Sequence, residues 1–266
     1  MLGLHQSAGL PMKQHYNDEK KEETFMIKLM IIGRRRAGIT RRAMQHHMLN
    51  IHAPLVLEFI AAHPAEAPKR YAQNHFIDAT HALGSPAESD WALDRDFVTQ
   101  VWATSPAEAM AALALPFYQE KLRPDEENFV DQSTVSKFMV QEELVFCDKR
   151  RTARHKLFFV LPAALEAAAE DGPRAEQFAE VVARVVADRR TPYISRHVRN
   201  RVMNPPSSPA SVDLIEEFWL DDADSAERLL ALLTEGLASD ATAPGLRQVM
   251  QHGMASIALE HALYQG

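Results

Sequence analysis

The chain has 266 residues, 46% hydrophobic and 24% charged, a composition that excludes a disordered chain, a collagen-like repeat and a disulfide-stapled miniprotein. Its length allows one large domain or two small ones. Its net charge of −7 lacks the basic footprint of a nucleic-acid binder, and its single cysteine, Cys147, fits a reducing compartment.

Residues 1–25 are mixed and polar and end in the run Asp18-Glu19-Lys20-Lys21-Glu22-Glu23, which reads as a flexible extension. They lack the basic start and apolar stretch of a signal peptide, and no apolar run is long enough to span a bilayer. A cytoplasmic protein with no membrane partner is expected. Phe25 to Ile32 is apolar with β-branched members and predicts a strand. Thr40 then caps a helix whose apolar positions Met44, Met48, Ile51, Leu55 and Phe59 share one arc. Pro54 should kink or break that helix near His52 and Ala53. Tyr71–Ile77 and Phe97–Trp102 predict two further strands. Ser105, Pro106 and Glu108 open an Ala-rich helix to about Tyr118, and Phe138–Phe146 is a last strand. The same order then recurs: strand His155–Leu161, helix Glu176–Asp188, strands Tyr193–Val198 and Val212–Leu220, helix Asp224–Leu237 and strand Ile257–Tyr264.

Specific residues mark the recurrence. Lys28-Leu29 matches Lys156-Leu157, Tyr71…His75 matches Tyr193…His197, Trp102 matches Trp219 and Glu142 matches Glu260. The spacing stays near about 120 residues, an ordinary domain size, with the drift assigned to insertions such as the Ala-rich stretch from Ala163 to Pro173. The predicted class is α+β: two ferredoxin-like βαββαβ repeats, residues 26–150 and 151–266, after the extension 1–25. Each repeat leaves one sheet face uncovered. Strand alternation puts Tyr71, Gln73 and His75 on one side and Ala72, Asn74 and Phe76 on the other. The Tyr/His side is assigned to the open face, although Asn74 and Arg196 spoil the pattern. Two such faces packed together would enclose a barrel interior carrying Tyr, His and polar groups, the usual form of a small-molecule site.

The residues Ile27-Lys28-Leu29-Met30, Arg34-Arg35-Arg36-Ala37-Gly38-Ile39-Thr40, Asn50-Ile51-His52-Ala53-Pro54-Leu55-Val56 and Tyr71-Ala72-Gln73-Asn74-His75 resemble the EthD family of the dimeric α/β-barrel superfamily. The second half matches mainly through strand order and Tyr193/His197. The resemblance implies an eight-stranded barrel made by two units within one chain. It also implies a superfamily of lactone isomerases, polyketide cyclases, dehydratases, cofactor-free monooxygenases and haem-degrading enzymes.

His52, at the Pro-induced helix end, is the sharpest candidate: an acid/base in the His-x-Pro-Leu motif, or a structural ring capping carbonyls freed by Pro54. Tyr71 and His75 lie on one strand side and reach one substrate together, or form a satisfied buried pair. These three are the catalytic expectation. His47, Gln73, Trp102, Tyr193, His197 and Glu142 are expected to bind substrate, with Glu142 and Glu260 alternatively pairing with Lys or Arg at the barrel rim. The second half has no helix histidine matching His52, so the pocket is placed in the first half. His46 should face solvent, and His47 should lie on the flank of the stripe opposite His52. No spacing supports metal ligation by His47, His52 and His75. Neither haem nor any other cofactor is expected, and the ten glycines form no phosphate loop. The chain thus reads as a cofactor-independent enzyme of the lyase, isomerase or cyclase type. It would move protons on a small aromatic, polyketide-like or lactone substrate. The alternatives are a stress-type barrel that holds a small ligand or haem, and a cofactor-free monooxygenase. The fused barrel could pair further into a homodimer.

Overall fold

The structure, a computed structural model, describes residues 26–77, 81–82, 95–162, 174–203, 212–239 and 253–266. The proposed extension 1–25 and the Ala-rich stretch after Pro162 lie outside the described residues. Strand β1 (Ile27–Gly33) leads into helix α1 (Arg41–His47) and helix α2 (Ala53–Ala62). Strand β2 (Arg70–Phe76), the short β3 (His81–Ala82) and β4 (Phe97–Ala103) follow. Helices α3 (Pro106–Ala114) and α4 (Arg123–Glu126) and strand β5 (Ser136–Cys147) complete the first half. The second half runs β6 (His155–Pro162), α5 (Arg174–Ala187), β7 (Ile194–Val202), β8 (Val212–Leu220), α6 (Ala223–Ser239) and β9 (Met254–Tyr264).

The sheet order is β2-β4-β1-β5-β7-β8-β6-β9, and β2 pairs again with β9, so eight antiparallel strands close into a barrel; β3 adds to β9. Within each half the strand order is the same. The last strand of each half lies beside the second strand of the other. Among the described residues no helix is long and apolar enough to cross a membrane.

The barrel interior is packed. Met30, Phe76, Phe138, Phe158, Ile215 and Met254, from strands all round the barrel, form one buried cluster without any helix residue. At its centre Glu217 accepts from Lys28 Nζ at 2.7 Å and from Lys156 Nζ at 2.9 Å. Lys28 also pairs with Glu142 at 2.6 Å, and Lys156 with Glu260 at 2.7 Å. Trp102 donates its indole N–H to Glu142, and Trp219 donates to Glu260. The matched residues of the two halves therefore make matched contacts. Burial opposes the ionisation of Glu217, but the Lys156 and Lys28 ammonium groups outweigh it and hold the carboxyl well below its ordinary range.

Two sequence expectations are corrected here. The Tyr71/Gln73/His75 side faces the helices, not the barrel interior: Tyr71 packs with α2, whereas Phe76 joins the interior cluster. Asn74 belongs inside because Gln100 and the Val98 carbonyl accept from its amide. Tyr193 and His197 are also not the copies of Tyr71 and His75. Asn74 lies opposite Val98, and Asn200 lies opposite Ile215, with the same amide-to-carbonyl bond in each half. In that register His197, opposite Phe218, corresponds to Tyr71, opposite Val101. The structurally equivalent positions thus lie four residues further along β7 than the Tyr…His motif match places them.

Candidate active site

The cavity lies between the first-half sheet and its helices, outside the barrel. It measures about 120 Å³ and is lined mostly by apolar side chains, among them Leu29, Val56, Phe59 and Val101. Its polar lining includes His52, Tyr71, Trp102, Tyr118, Glu126 and Lys137. The equivalent space in the second half is filled, among the described residues, by Phe159, Phe178, Phe218, Val182, Leu229 and Leu233.

Two π-helical turns shape the wall. Thr40 Oγ1 accepts from the Ala43 N–H and starts α1. Pro54 has no N–H to continue the helical ladder. The chain answers with a π-turn, Met48–His52, in which the Ala53 N–H reaches Met48 O. The helix continues through Pro54 rather than breaking. The wider turn shifts its phase, so Met44, Met48 and Phe59 are buried while Ile51 is exposed. It also brings His47 and His52 to one partner instead of opposite flanks. The same device precedes Pro124: a π-turn, Tyr118–Leu122, closes with Arg123 N–H on Tyr118 O. It presents Tyr118 to the cavity and leads into α4.

Asp125, on α4, joins both imidazoles. His52 Nδ1 lies 2.9 Å from one carboxylate oxygen and His47 Nε2 lies 2.8 Å from the other. Both rings pack on Phe129. Burial works against ionisation of Asp125, but the hydrogen bonds from His52 and His47 outweigh it and hold the carboxyl below its usual range. With Nδ1 engaged, Nε2 of His52 is the nitrogen left for the cavity. Tyr118 donates its hydroxyl to Glu126 Oε1 at 3.0 Å. Burial first, and the neighbouring Glu126 carboxyl second, push the Tyr118 hydroxyl well above its ordinary pKa.

The other expected site residues separate into groups. Tyr71 lines the cavity, but its hydroxyl accepts from Gln73 Nε2 at 2.5 Å, and burial pushes its pKa well up. Gln73 also donates to the Met48 carbonyl and accepts from His75 Nε2 at 3.0 Å, so Gln73 and His75 stand behind the wall rather than in it. His75 lies against His261 at the β2–β9 seam, the rings tilted by 48°; burial first, and His261 second, lower its pKa to about 4. Trp102 touches the cavity edge, while Glu142 pairs with Lys28 inside the barrel. Tyr193 is exposed and donates to Asp148. His197 is buried against Glu216 and Phe218 in the second half. His46 is exposed. Among the described residues no group of three His, Cys, Asp or Glu is arranged to hold a metal ion.

Asp125, Glu126, Tyr118 and Lys137 were not anticipated. The signal was present: Pro124-Asp125-Glu126-Glu127 is a proline followed by acids, the mark of a helix start.

The EthD domain model matches residues 36–133, which span both π-turns, α1 to α4 and both imidazoles with their shared carboxylate. Over those residues the chain is similar to an EthD domain. No curated protein matches the chain. Among solved structures, a mutant chlorite dismutase from Candidatus Nitrospira defluvii shares the fold at 9% identity. The match covers 91% of this chain and 95% of that one, with a TM-score of 0.51. An anthrone oxidase-like protein is similar at 9% identity, 91% and 94% coverage and a TM-score of 0.49. A haem-binding protein from Thermus thermophilus follows at 8% identity, 90% and 92% coverage and a TM-score of 0.45. Residues 36–133 supply most of the cavity wall, and Leu29, Ile31, Val135 and Lys137 complete it.

Proposed function

We propose that the EthD cavity binds a neutral molecule of about one ring and that His52, oriented by Asp125, removes a proton next to its carbonyl group. The observation that carries this is the His52–Asp125 hydrogen bond at the edge of an otherwise apolar cavity. A carboxylate on Nδ1 fixes the tautomer, stabilises the imidazolium formed on proton uptake and leaves Nε2 as the base. Size supports the substrate class, because a dry cavity of roughly 150 Å³ holds benzene. The outcome would be an isomerisation, cyclisation or elimination without a cofactor. The matched Lys–Glu–Trp contacts support reading the halves 26–150 and 151–266 as ferredoxin-like repeats.

Haem is an alternative ligand raised by the sequence, so its fit matters. His52 has a suitable nitrogen, but a macrocycle exceeds a cavity of about 120 Å³ bounded by Met48, Val56, Tyr71 and Phe129. The cavity size supports the reading without haem.

The probe is 5-nitrobenzisoxazole, whose ring opens when a base removes one carbon-bound proton, releasing a coloured phenolate. The protein should accelerate this beyond free imidazole, and His52→Ala should cut the rate by roughly a hundredfold, the usual worth of a positioned base. An undiminished rate in the variant refutes the role. The mostly apolar lining favours a second reading, a site that holds a small ligand without chemistry. Mass spectrometry showing a retained, unaltered ligand together with no acceleration of the probe supports it. Oxygen uptake with that ligand supports a cofactor-free monooxygenase instead.

A further inference from the structure

We infer that Glu126 is a second proton carrier of this cavity: a carboxylic acid, positioned by Tyr118, that donates to an oxygen of the molecule on which His52 acts. This rests on the base reading above and adds the acid that such a base needs.

Asp125 and Glu126 are neighbours on α4, so their side chains diverge by about 100° around the helix. They meet opposite surroundings. Asp125 accepts from two imidazoles. Glu126 lines the cavity, and among the described residues no Lys, Arg or His forms an ion pair with it. The groups facing it are His52, the Tyr118 and Tyr71 hydroxyls, Lys137 and Arg123. Tyr118 donates to Oε1, which leaves Oε2 to carry a proton toward the cavity. Burial raises the Glu126 pKa, and the lowering influence of His52, Tyr118, Lys137 and Arg123 does not cancel it. Two carboxyl groups adjacent in sequence are thus shifted in opposite directions, Asp125 downward and Glu126 upward.

The chemistry balances without a further reactant. His52 Nε2 takes a proton from the carbon beside the carbonyl, and the C–H electron pair becomes the C=C bond. The carbonyl π pair moves to oxygen, which takes the Oε2 proton of Glu126. An enol, an imidazolium and a carboxylate result. Where the substrate is a β,γ-unsaturated carbonyl compound the enol is a dienol; return of its O–H proton to Glu126, with delivery of the His52 proton to the γ-carbon, moves the C=C bond into conjugation with the reformed carbonyl and restores both groups. The pair selects a neutral, enolisable carbonyl compound.

The test uses 4-nitrophenol with the full-length protein at a pH where the free probe is the yellow phenolate. Quenching of Trp102 fluorescence reports binding, and loss of the yellow band reports that the bound probe carries a proton. The wild-type protein should bind and bleach the probe. Glu126→Gln should bind it within about threefold of wild type and leave it yellow. His52→Ala should still bleach it, so the acid stands or falls separately from the base. Infrared spectra with ¹³C-carboxyl-labelled glutamate should show a protonated carboxyl band near neutral pH that Glu126→Gln removes. Equal bleaching in wild type and Glu126→Gln overturns the inference. So does a bound probe that stays yellow in wild type, an absent band, or no binding of the probe at all.

Discussion

Glu217 is the keystone charge of the barrel, and Glu217→Gln isolates what its carboxylate does. It touches Lys28 at 2.7 Å and Lys156 at 2.9 Å. At an effective dielectric of about 20, Coulomb's law gives roughly 6 kcal/mol for each contact, before desolvation of three buried ions offsets most of it. Removing one member of a buried pair costs about 3–5 kcal/mol net. The lower end applies here, because Lys28 keeps Glu142 and Lys156 keeps Glu260. Shape is not the issue: Gln100 occupies the corresponding place on β4 and donates to Glu217 itself. The expected loss is about 3 kcal/mol, or roughly 6–12 °C in Tm at 2–4 °C per kcal/mol. Urea unfolding followed by circular dichroism at pH 7 measures it. Acid supplies a second readout. The folded-state pKa of Glu217 lies below its unfolded value, so its stabilisation is present above the unfolded pKa and is lost as pH falls through the folded one. Glu217→Gln should therefore lose less stability than wild type on acidification below about pH 4. A loss under about 1 kcal/mol with an unchanged acid limb would refute the reasoning, since comparable buried pairs cost about 3–5 kcal/mol when broken.

Two other substitutions probe the walls. His75 has a folded pKa of about 4 against 6.5 for the free side chain, so the unfolded chain binds its proton first and stability falls as pH drops from about 6.5 toward 4. His75→Gln should flatten stability across that window by up to about 3 kcal/mol, and denaturation midpoints at pH 7 and 4.5 that shift as in wild type would contradict this. Gly33→Ala would place a Cβ 2.5 Å from the Phe97 ring, a cavity-lining residue. It should cost about 1–3 kcal/mol as overpacking and weaken 4-nitrophenol binding; unchanged binding would show that Phe97 moves elsewhere.

Much of the fold was legible because each strand and helix carries its own period. The strand order of both halves, the Thr40 and Ser105 caps and the matched Lys, Trp and Glu residues all follow from local pattern. What failed was the choice of face. Tyr, His and Gln read as pocket groups, and the barrel interior as their home, because alternation gives two faces without saying which is covered. Asn74, which spoiled that assignment, was the informative residue, since an interior holding Lys28, Lys156 and Glu217 has polar partners for it. The Tyr193/His197 match failed because the Tyr…His spacing recurs in β7 four residues before the structurally equivalent positions. His52 was visible through Pro54. Its partner Asp125 was not, because the two residues meet only through tertiary packing.

The β2–β9 seam has a consequence for how the chain comes together. It joins Tyr71 to Tyr264 and His75 to Leu259, contacts that span most of the sequence. Such contacts carry the largest loop-closure cost and slow folding. Until the seam zips, β2 and β9 each present an unpaired edge open to a strand of another molecule. Closure therefore gates assembly: the chain holds an open, sticky ribbon until β9 docks on β2, and only then becomes edgeless at this position.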